Sequence, residues 1–209
     1  MKNQIKKLSI LILIITFFSL EPFAQSEPLI PTNFTTYTDE VNLFSISYPE
    51  NWEPAFSMIE RFKQETSDYL ESIDEEGFSE INNVVFFGGI LLDNGYYNPN
   101  ITITIFAKPL GADNVKLEDI VEIMVPEYKK YSEEYCELSR TKTIIGGKQA
   151  IILDFEACLP NMPLAHYLVM YMFIDKYLWT TTCSIGPPLD FYDFKDDIYA
   201  MVKSLKILK

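Results

Sequence analysis

Strand-like apolar runs and short polar turns alternate over the last third of this chain. Residues 138–184 contain four runs rich in β-branched and aromatic residues, separated by turn segments at 146–147, 160–163 and 175–176. Such runs favour strands, and Gly, Pro, Asn and Asp favour the corners between them. The pattern therefore predicts an antiparallel meander. Its third run, residues 167–174, is apolar at every position, which predicts a central strand buried on both faces.

Apolar residues at helical spacing occur in three other segments. They lie at residues 58–74, from Leu117 to Tyr131, and at residues 191–205, where Asp190 is suited to be the N-cap. Alternating strand patterns fill the intervals, including a first hairpin that ends at Pro49 and a strand at 101–106. The order predicts an α+β domain with a central, mainly antiparallel β-sheet flanked by helices.

The N-terminus has the pattern of an export signal. A basic start, Lys2 to Lys7, precedes an apolar run from Leu8 to Leu20, and Ala24-Gln25-Ser26 fits a small-x-small cleavage site. The apolar run is shorter than the about 20 residues that a membrane helix needs. Residues 1–26 are therefore predicted to be a secretory signal peptide, with cleavage after Ser26 or after Ala24, and residues 27–209 a single domain. A retained membrane anchor is the alternative.

This export signal favours a periplasmic or secreted protein of a bacterial host, without a stable membrane span after cleavage. No cysteine stands near the cleavage site, so a lipoprotein is not expected. The formal net charge of −13 has no basic cluster to offset it, which disfavours nucleic-acid binding.

Cysteine placement depends on the register of the hairpin around Gly146 and Gly147. A three-residue loop would pair Ile145 with Gln149 and set Cys136 opposite Cys158. A two-residue loop would shift the partners by one residue. A Cys136–Cys158 disulfide and a set of reduced cysteines thus remain alternatives, and Cys183 is expected to be a small core residue.

Catalytic chemistry finds little support in the residues. His166 is the sole histidine, so a thiol or hydroxyl nucleophile would need it, and a pair with Cys158 or Cys183 is the conceivable version. The acidic residues of the last helix lack the spacing of a calcium loop and suit its helix dipole. We expect no catalytic residues, no cofactor and no metal site.

Two adjacent aromatic residues make the loop at 94–100 the candidate recognition element. Tyr96 and Tyr97 lie between asparagines, and aromatic side chains on loops bury much area at little entropic cost. They are predicted to bind a partner, with packing onto the sheet edge as the alternative.

Three short segments together resemble a known family. They are residues 43–52 (LFSISYPENW), 145–151 (IGGKQAI) and 203–207 (KSLKI). The chain is similar there to the PsbP-like group, whose fold bacterial DcrB-like exported proteins and a eukaryotic Ran-binding protein share. The resemblance implies an α/β/α sandwich and a role in binding or assisting partner proteins, and it carries over no site residues.

The sequence thus favours an exported, non-catalytic PsbP-like domain that binds a protein partner or a small ligand in the cell envelope or outside the cell. A thiol- or histidine-dependent hydrolase is one alternative. A structural or stress-related envelope protein is the other.

Overall fold

Ten strands and two helices make up the part of the chain that the structure describes. The structure is a computed structural model, and it describes residues 32–55, 81–91, 97–107, 115–158 and 163–208. The predicted signal peptide, the predicted helix at 58–74 and Tyr96 lie outside these residues. The strands are β1 (Phe34–Asp39), β2 (Phe44–Pro49), β3 (Glu53–Pro54), β4 (Ile81–Leu91), β5 (Tyr97–Ala107), β6 (Glu134–Ile145), β7 (Lys148–Cys158), β8 (Ala165–Ile174), β9 (Tyr177–Ile185) and β10 (Lys206–Ile207); the helices are α1 (Leu117–Tyr131) and α2 (Phe191–Ser204).

The strands form two antiparallel sheets. The larger has seven strands in the order β3-β4-β5-β9-β8-β7-β6, and the smaller has the order β1-β2-β10. The predicted meander is confirmed, since β6, β7, β8 and β9 follow one another as antiparallel neighbours. The predicted first hairpin is β1 and β2, which belong to the smaller sheet. An α+β fold with a mostly antiparallel sheet is therefore confirmed.

Strand β8 is interior and almost wholly buried, as its apolar run predicted. It pairs with β7 on one side and β9 on the other, and of residues 167–174 only Phe173 is partly exposed. The middle position of the seven strands, however, belongs to β9. Both strands lack a hydrated face, which explains their continuous run of large apolar and threonine side chains.

Helix α1 is attached to β8 by a pair of tyrosines. Tyr128 of α1 and Tyr171 of β8 are fully buried, and their hydroxyl groups hydrogen-bond to each other. Burial raises the pKa of Tyr171 well above its usual value, so its phenol stays neutral in the fold. Phe155 of β7 packs on Tyr128 at 4.8 Å between ring centroids, which continues the contact to the next strand.

The smaller sheet packs through aromatic side chains onto strands β4 and β9 of the large sheet. Phe44 of β2 meets Trp179 of β9 edge to face at 5.3 Å, and Tyr48 lies 4.8 Å from Phe87 of β4. Buried Ser204 at the end of α2 bonds the backbone of Ser47, which fixes the helix to β2. These contacts join both sheets and α2 in one hydrophobic core.

The register between β6 and β7 differs from the predicted one. The loop is two residues long, with positive φ at Gly146 and Gly147, so Ile145 pairs with Lys148 rather than Gln149. Both φ values suit a two-residue turn whose twist matches the strands, which explains why this loop is preferred. A second shift, a bulge between Glu137 and Ser139, moves the partners by one more residue.

These two shifts separate the cysteines that the predicted register would align. Cys136 stands opposite Glu156, and Cys158 stands opposite Glu134. Cys136 and Cys158 are therefore diagonal neighbours on one face, a position where Cα atoms are about 7–8 Å apart. A disulfide requires about 4.4–6.8 Å. The predicted alignment is wrong, and with it the geometric basis for a Cys136–Cys158 bridge.

We predict that Tyr128→Phe lowers the free energy of unfolding by about 1–3 kcal/mol, because it leaves the buried Tyr171 hydroxyl without its hydrogen bond. The double variant Tyr128→Phe/Tyr171→Phe should recover most of that loss, since both polar groups are then removed together. Chemical denaturation of the four proteins measures the cycle.

The matched control for this cycle is Tyr131→Phe, which removes an exposed hydroxyl that accepts a bond from Lys130. It should change stability by less than about 0.5 kcal/mol. Additive losses in the double variant would contradict a direct bond between the two tyrosines.

Candidate binding surface at one end of the sheet

One end of the large sheet brings together several residues that the sequence analysis considered separately. Here β5 and β8 begin, and β7 and β9 end. A side-chain bridge holds this end together: Asn98 Nδ2 donates to the Gly186 carbonyl at 2.6 Å, and the Gly186 amide donates to Asn98 Oδ1 at 3.2 Å. The start of β5 is thereby fixed beside the segment that leads from β9 into α2.

His166 is at the centre of this end and is almost fully buried. Its Nε2 lies 3.5 Å from Asp154 Oδ1, and its Nδ1 lies 3.4 Å from Glu156 Oε1. The strand register explains this geometry, because Glu156 is directly opposite His166 and Asp154 is two residues along the same face of β7. Ser139 of β6 donates to the other oxygen of Asp154 at 3.3 Å. A polar cluster therefore crosses three strands.

The imidazole of His166 also positions the first turn of α2. Its ring stacks on Phe191 at 3.9 Å between centroids and meets the edge of Tyr192 at 6.5 Å. Asp190 is the N-cap of α2, as predicted, and its Oδ1 accepts a hydrogen bond from the Tyr192 amide at 2.9 Å. Cap and stack together fix where Tyr192 leaves the helix.

Solvent reaches large apolar side chains around this cluster. Tyr192 is 71% exposed and Leu164, two residues before His166, is 45% exposed. Glu156, which contacts His166, is partly exposed, and Cys136, its partner on β6, is exposed. We call Leu164, Tyr192, Glu156 and Cys136 the Tyr192 surface. An aromatic and an aliphatic side chain held by ordered backbone beside acids are typical of protein recognition sites.

Residues 97–100 of the predicted recognition loop belong to strand β5 at this same end of the sheet, so the prediction of a loop is wrong for them. Tyr97 is the first residue of β5, and its backbone pairs with Leu91 of β4. Its neighbour Asn98 forms the bridge to Gly186 described above. The part of the chain that the structure describes thus brings the beginning of β5 to the end of the sheet that carries Tyr192, while partner binding by Tyr96 and Tyr97 stays a prediction.

Sequence reasoning missed Tyr192 and Leu164. A signal for Tyr192 was present, since it is an aromatic residue outside the apolar stripe of the last helix that includes Phe191 and Ile198. Leu164 gave no comparable signal, because it lies in a proline-containing turn segment.

The structure contains no bridge among the three cysteines, of which Cys136 is exposed, Cys158 partly buried and Cys183 buried. Burial and the nearby carboxylates of Glu133 and Glu134 raise the pKa of the Cys158 thiol. Complete burial raises the pKa of Cys183 well above its usual value. Nucleophilic thiols need a lowered pKa, so the environments of Cys158 and Cys183 do not favour a thiol enzyme.

No three His, Cys, Asp or Glu side chains within the described ranges come together as a metal site. Asp154 and Glu156 do not form a metal site with His166, because their carboxylates face different nitrogens of its ring. Among the same residues, no helix has the length and apolarity needed to cross a membrane.

A groove of about 670 Å³ lies at the other end of the sheet, between the start of α1 and the β6–β7 hairpin. Its size falls within the range of small-molecule sites. Lys142 on its rim is paired with Glu118 at 2.5 Å, and Ile144 is half exposed within it. The full lining is Lys116, Leu117, Glu118, Lys142, Thr143, Ile144, Gln149, Ala150, Ile151 and Phe173.

Solved structures share this fold at low sequence identity. The solution structure of cyanobacterial PsbP (CyanoP) from Synechocystis sp. PCC 6803 aligns with a TM-score of 0.53 and 13% identity, over 90% of this chain and 99% of that one. The crystal structure of the Saccharomyces cerevisiae Ran-binding protein Mog1p aligns with a TM-score of 0.50 and 9% identity, over 85% of this chain and 96% of that one.

No family profile and no curated protein matches the sequence. The likeness to solved structures therefore defines a PsbP-like fold for this chain. The resemblance found in the sequence is confirmed at that level.

We predict that a thiol reagent such as 5,5′-dithiobis(2-nitrobenzoate) modifies Cys136 fastest in the native protein, because Cys136 is the exposed thiol. Cys183 should react only after unfolding, since it is fully buried. Cys136→Ser should remove the fast phase and leave the unfolding-dependent phase unchanged. A native protein that shows one slow thiol and gains two on reduction would instead indicate a Cys136–Cys158 bridge.

Proposed function

We propose that the protein is an exported, non-catalytic binding domain that recognises a partner protein through the Tyr192 surface. The observation that carries this proposal is the exposure of Tyr192 on a fixed backbone. A tyrosine loses little conformational freedom when a partner covers it. Tyr192 lies in the first turn of α2, and its contacts with His166 and Asp190 hold it in place before a partner binds. Tyr, with Trp and Arg, is enriched among residues that dominate binding energies.

A second line of support comes from a protein of the same fold. Mog1p is named a Ran-binding protein, so this architecture presents a protein-binding surface in at least one case. At 9% identity the comparison carries over no residues and no partner. Tyr96 and Tyr97 are proposed to extend the surface, because β5 begins at the same end of the sheet.

The proposal includes the domain plan expected from the sequence. Residues 27–209 form one domain, an α/β/α sandwich in which α1 covers the Tyr171 face of the large sheet and α2 approaches the His166 face. Alternate residues of a strand point to opposite faces, which supports this arrangement. Residues 1–26 direct export, and the mature protein resides in the periplasm or outside the cell.

The alternatives draw on weaker observations. A hydrolase would need an activated thiol beside His166, yet Cys158 and Cys183 have raised pKa values. A small ligand would be expected in the groove beside α1, whose lining mixes apolar side chains with an ion pair. A purely structural envelope protein offers no reason for an exposed, fixed Tyr192.

Site-specific photo-crosslinking in the native host tests the proposal. The variant Tyr192→p-benzoylphenylalanine should give one discrete crosslinked band after irradiation, which mass spectrometry then identifies. Val41→p-benzoylphenylalanine is the matched control, because Val41 is 89% exposed in the β1–β2 turn, which packs near the other end of the sheet. Equal, diffuse crosslinking at both positions, or none at Tyr192, would refute a docking role for this surface.

Export has its own test. We predict that the protein recovered from the envelope or medium begins at Glu27, or at Gln25 if cleavage follows Ala24, as read from its intact mass. A full-length chain that sediments with membranes would contradict cleavage and indicate the retained anchor.

A further inference from the structure

We infer that the Tyr192 surface receives a cationic side chain, so that the partner presents an arginine or lysine to it. This inference rests on the proposed function, because it states which chemistry the partner brings to that surface. It is carried by an exposed aromatic ring, the acids that surround it and a lysine of the chain itself.

The aromatic ring of Tyr192 already lies close to a cation. Lys195, one turn further along α2, has its Nζ 5.8 Å from the ring centroid. Ammonium and guanidinium groups are attracted to aromatic faces within about 6 Å. The contact is at the outer limit of that range, and the ring remains 71% exposed. A partner's cation therefore has access to the ring, where it competes with Lys195.

Acids surround the ring on its own helix. Asp190 caps the helix beside Tyr192, and Asp193 and Asp196 follow at exposed positions one and four residues later. Lys195 is the only basic residue between 190 and 197. Burial and the negative charge of Asp196 both raise the pKa of Asp197, so the acids of this helix repel one another.

The neighbouring strands add negative charge from a second direction. Glu156 is partly exposed on β7, and Glu133 and Glu134 are exposed near Cys158 at the end of the same strand, where burial and their charges raise the pKa of the thiol. Beneath them, Asp154 is 5% exposed and faces the His166 ring, with its Oδ1 3.5 Å from Nε2, so its charge is directed at the imidazole rather than at solvent.

Charge and ring together favour a cation over other ligands. An anionic group would be repelled by these acids and by the chain's formal charge of −13. A purely apolar partner would have to desolvate the acids without a compensating contact. An arginine suits both the aromatic ring and the acids, because its guanidinium stacks on aromatic rings and donates hydrogen bonds to carboxylates.

Short peptides probe the inference directly. The 15N-labelled protein, as processed by the cell, is titrated with acetyl-Gly-Arg-Gly-amide and, in parallel, with the Leu and Glu analogues. The arginine peptide is expected to bind in the millimolar range and to shift the amide signals of Leu164, His166, Tyr192 and Asp193. The glutamate peptide should cause no shifts there, and the leucine peptide should bind at least about fivefold more weakly.

Variants of the ring and of its lysine separate a cation site from an apolar one. Tyr192→Phe should retain binding of the arginine peptide, whereas Tyr192→Leu, which stays apolar but has no aromatic face, should weaken it about fivefold or more. Lys195→Gln should tighten it about two- to threefold, because the competing ammonium is gone. Lys203→Gln is the matched control: it removes the same charge from α2, where Lys203 lies over Tyr199, and it should have a smaller effect.

Equal binding of the leucine and arginine peptides, or unchanged binding in Tyr192→Leu, would overturn the inference. So would equal tightening by Lys195→Gln and Lys203→Gln, since net charge alone would then explain it. Failure of the proposed function looks different: the arginine peptide would still bind at Tyr192, but crosslinking from that position in the host would yield no partner.

Discussion

The burial of β8 on both faces is the constraint on which the described structure depends. A strand with two covered faces needs a layer on each, and the alternation of its side chains decides which residue meets which layer. Tyr171 bonds the buried hydroxyl of α1, and His166 stacks on the first residue of α2. β8 therefore fixes the position of both helices relative to the sheet.

The Tyr192 surface is a consequence of the same strand. His166 is the residue where β8 approaches the end of the sheet, and it is held by carboxylates on the neighbouring strand rather than by an apolar layer. The ring of His166 stacks on Phe191 and so fixes the first turn of α2. Tyr192, the next residue, therefore projects into solvent. Such preorganisation reduces the entropy that binding must overcome. The groove beside α1 lacks this feature, since its exposed lysine–glutamate pair adds little stability.

Local rules predicted much of the fold. The apolar run of β8, the turn at Asp175 and Lys176 that follows it and the N-cap Asp190 each follow from a few adjacent residues, and each is confirmed. The predicted β6–β7 register was wrong because the Gly146-Gly147 turn and the bulge near Leu138 each shift the strand partners by one residue. β6 alternates between exposed and half-exposed side chains, so no apolar period on that edge strand specified the register.

The candidate site depended on contacts that no local pattern contains. His166 and Phe191 are 25 positions apart in sequence, and the bridge between Asn98 and Gly186 spans 88. His166, the sole histidine, was considered as a catalytic candidate. In the structure it lies between the carboxylates of Asp154 and Glu156 and stacks on the ring of Phe191. Cysteine and tyrosine positions in the sequence carry chemistry, but only the sheet topology decides which of them share a surface.

Residue-resolved hydrogen exchange of the wild type and of His166→Ala tests this account most directly. The account predicts that the amides at the centre of β8, from Val169 to Met172, exchange only through global unfolding in the wild type. In His166→Ala the amides of Phe194 and Lys195 should lose at least about tenfold protection, relative to whatever change affects β8. Equal loss at both places, or unchanged protection of α2, would contradict the claim that His166 of β8 holds the surface in position.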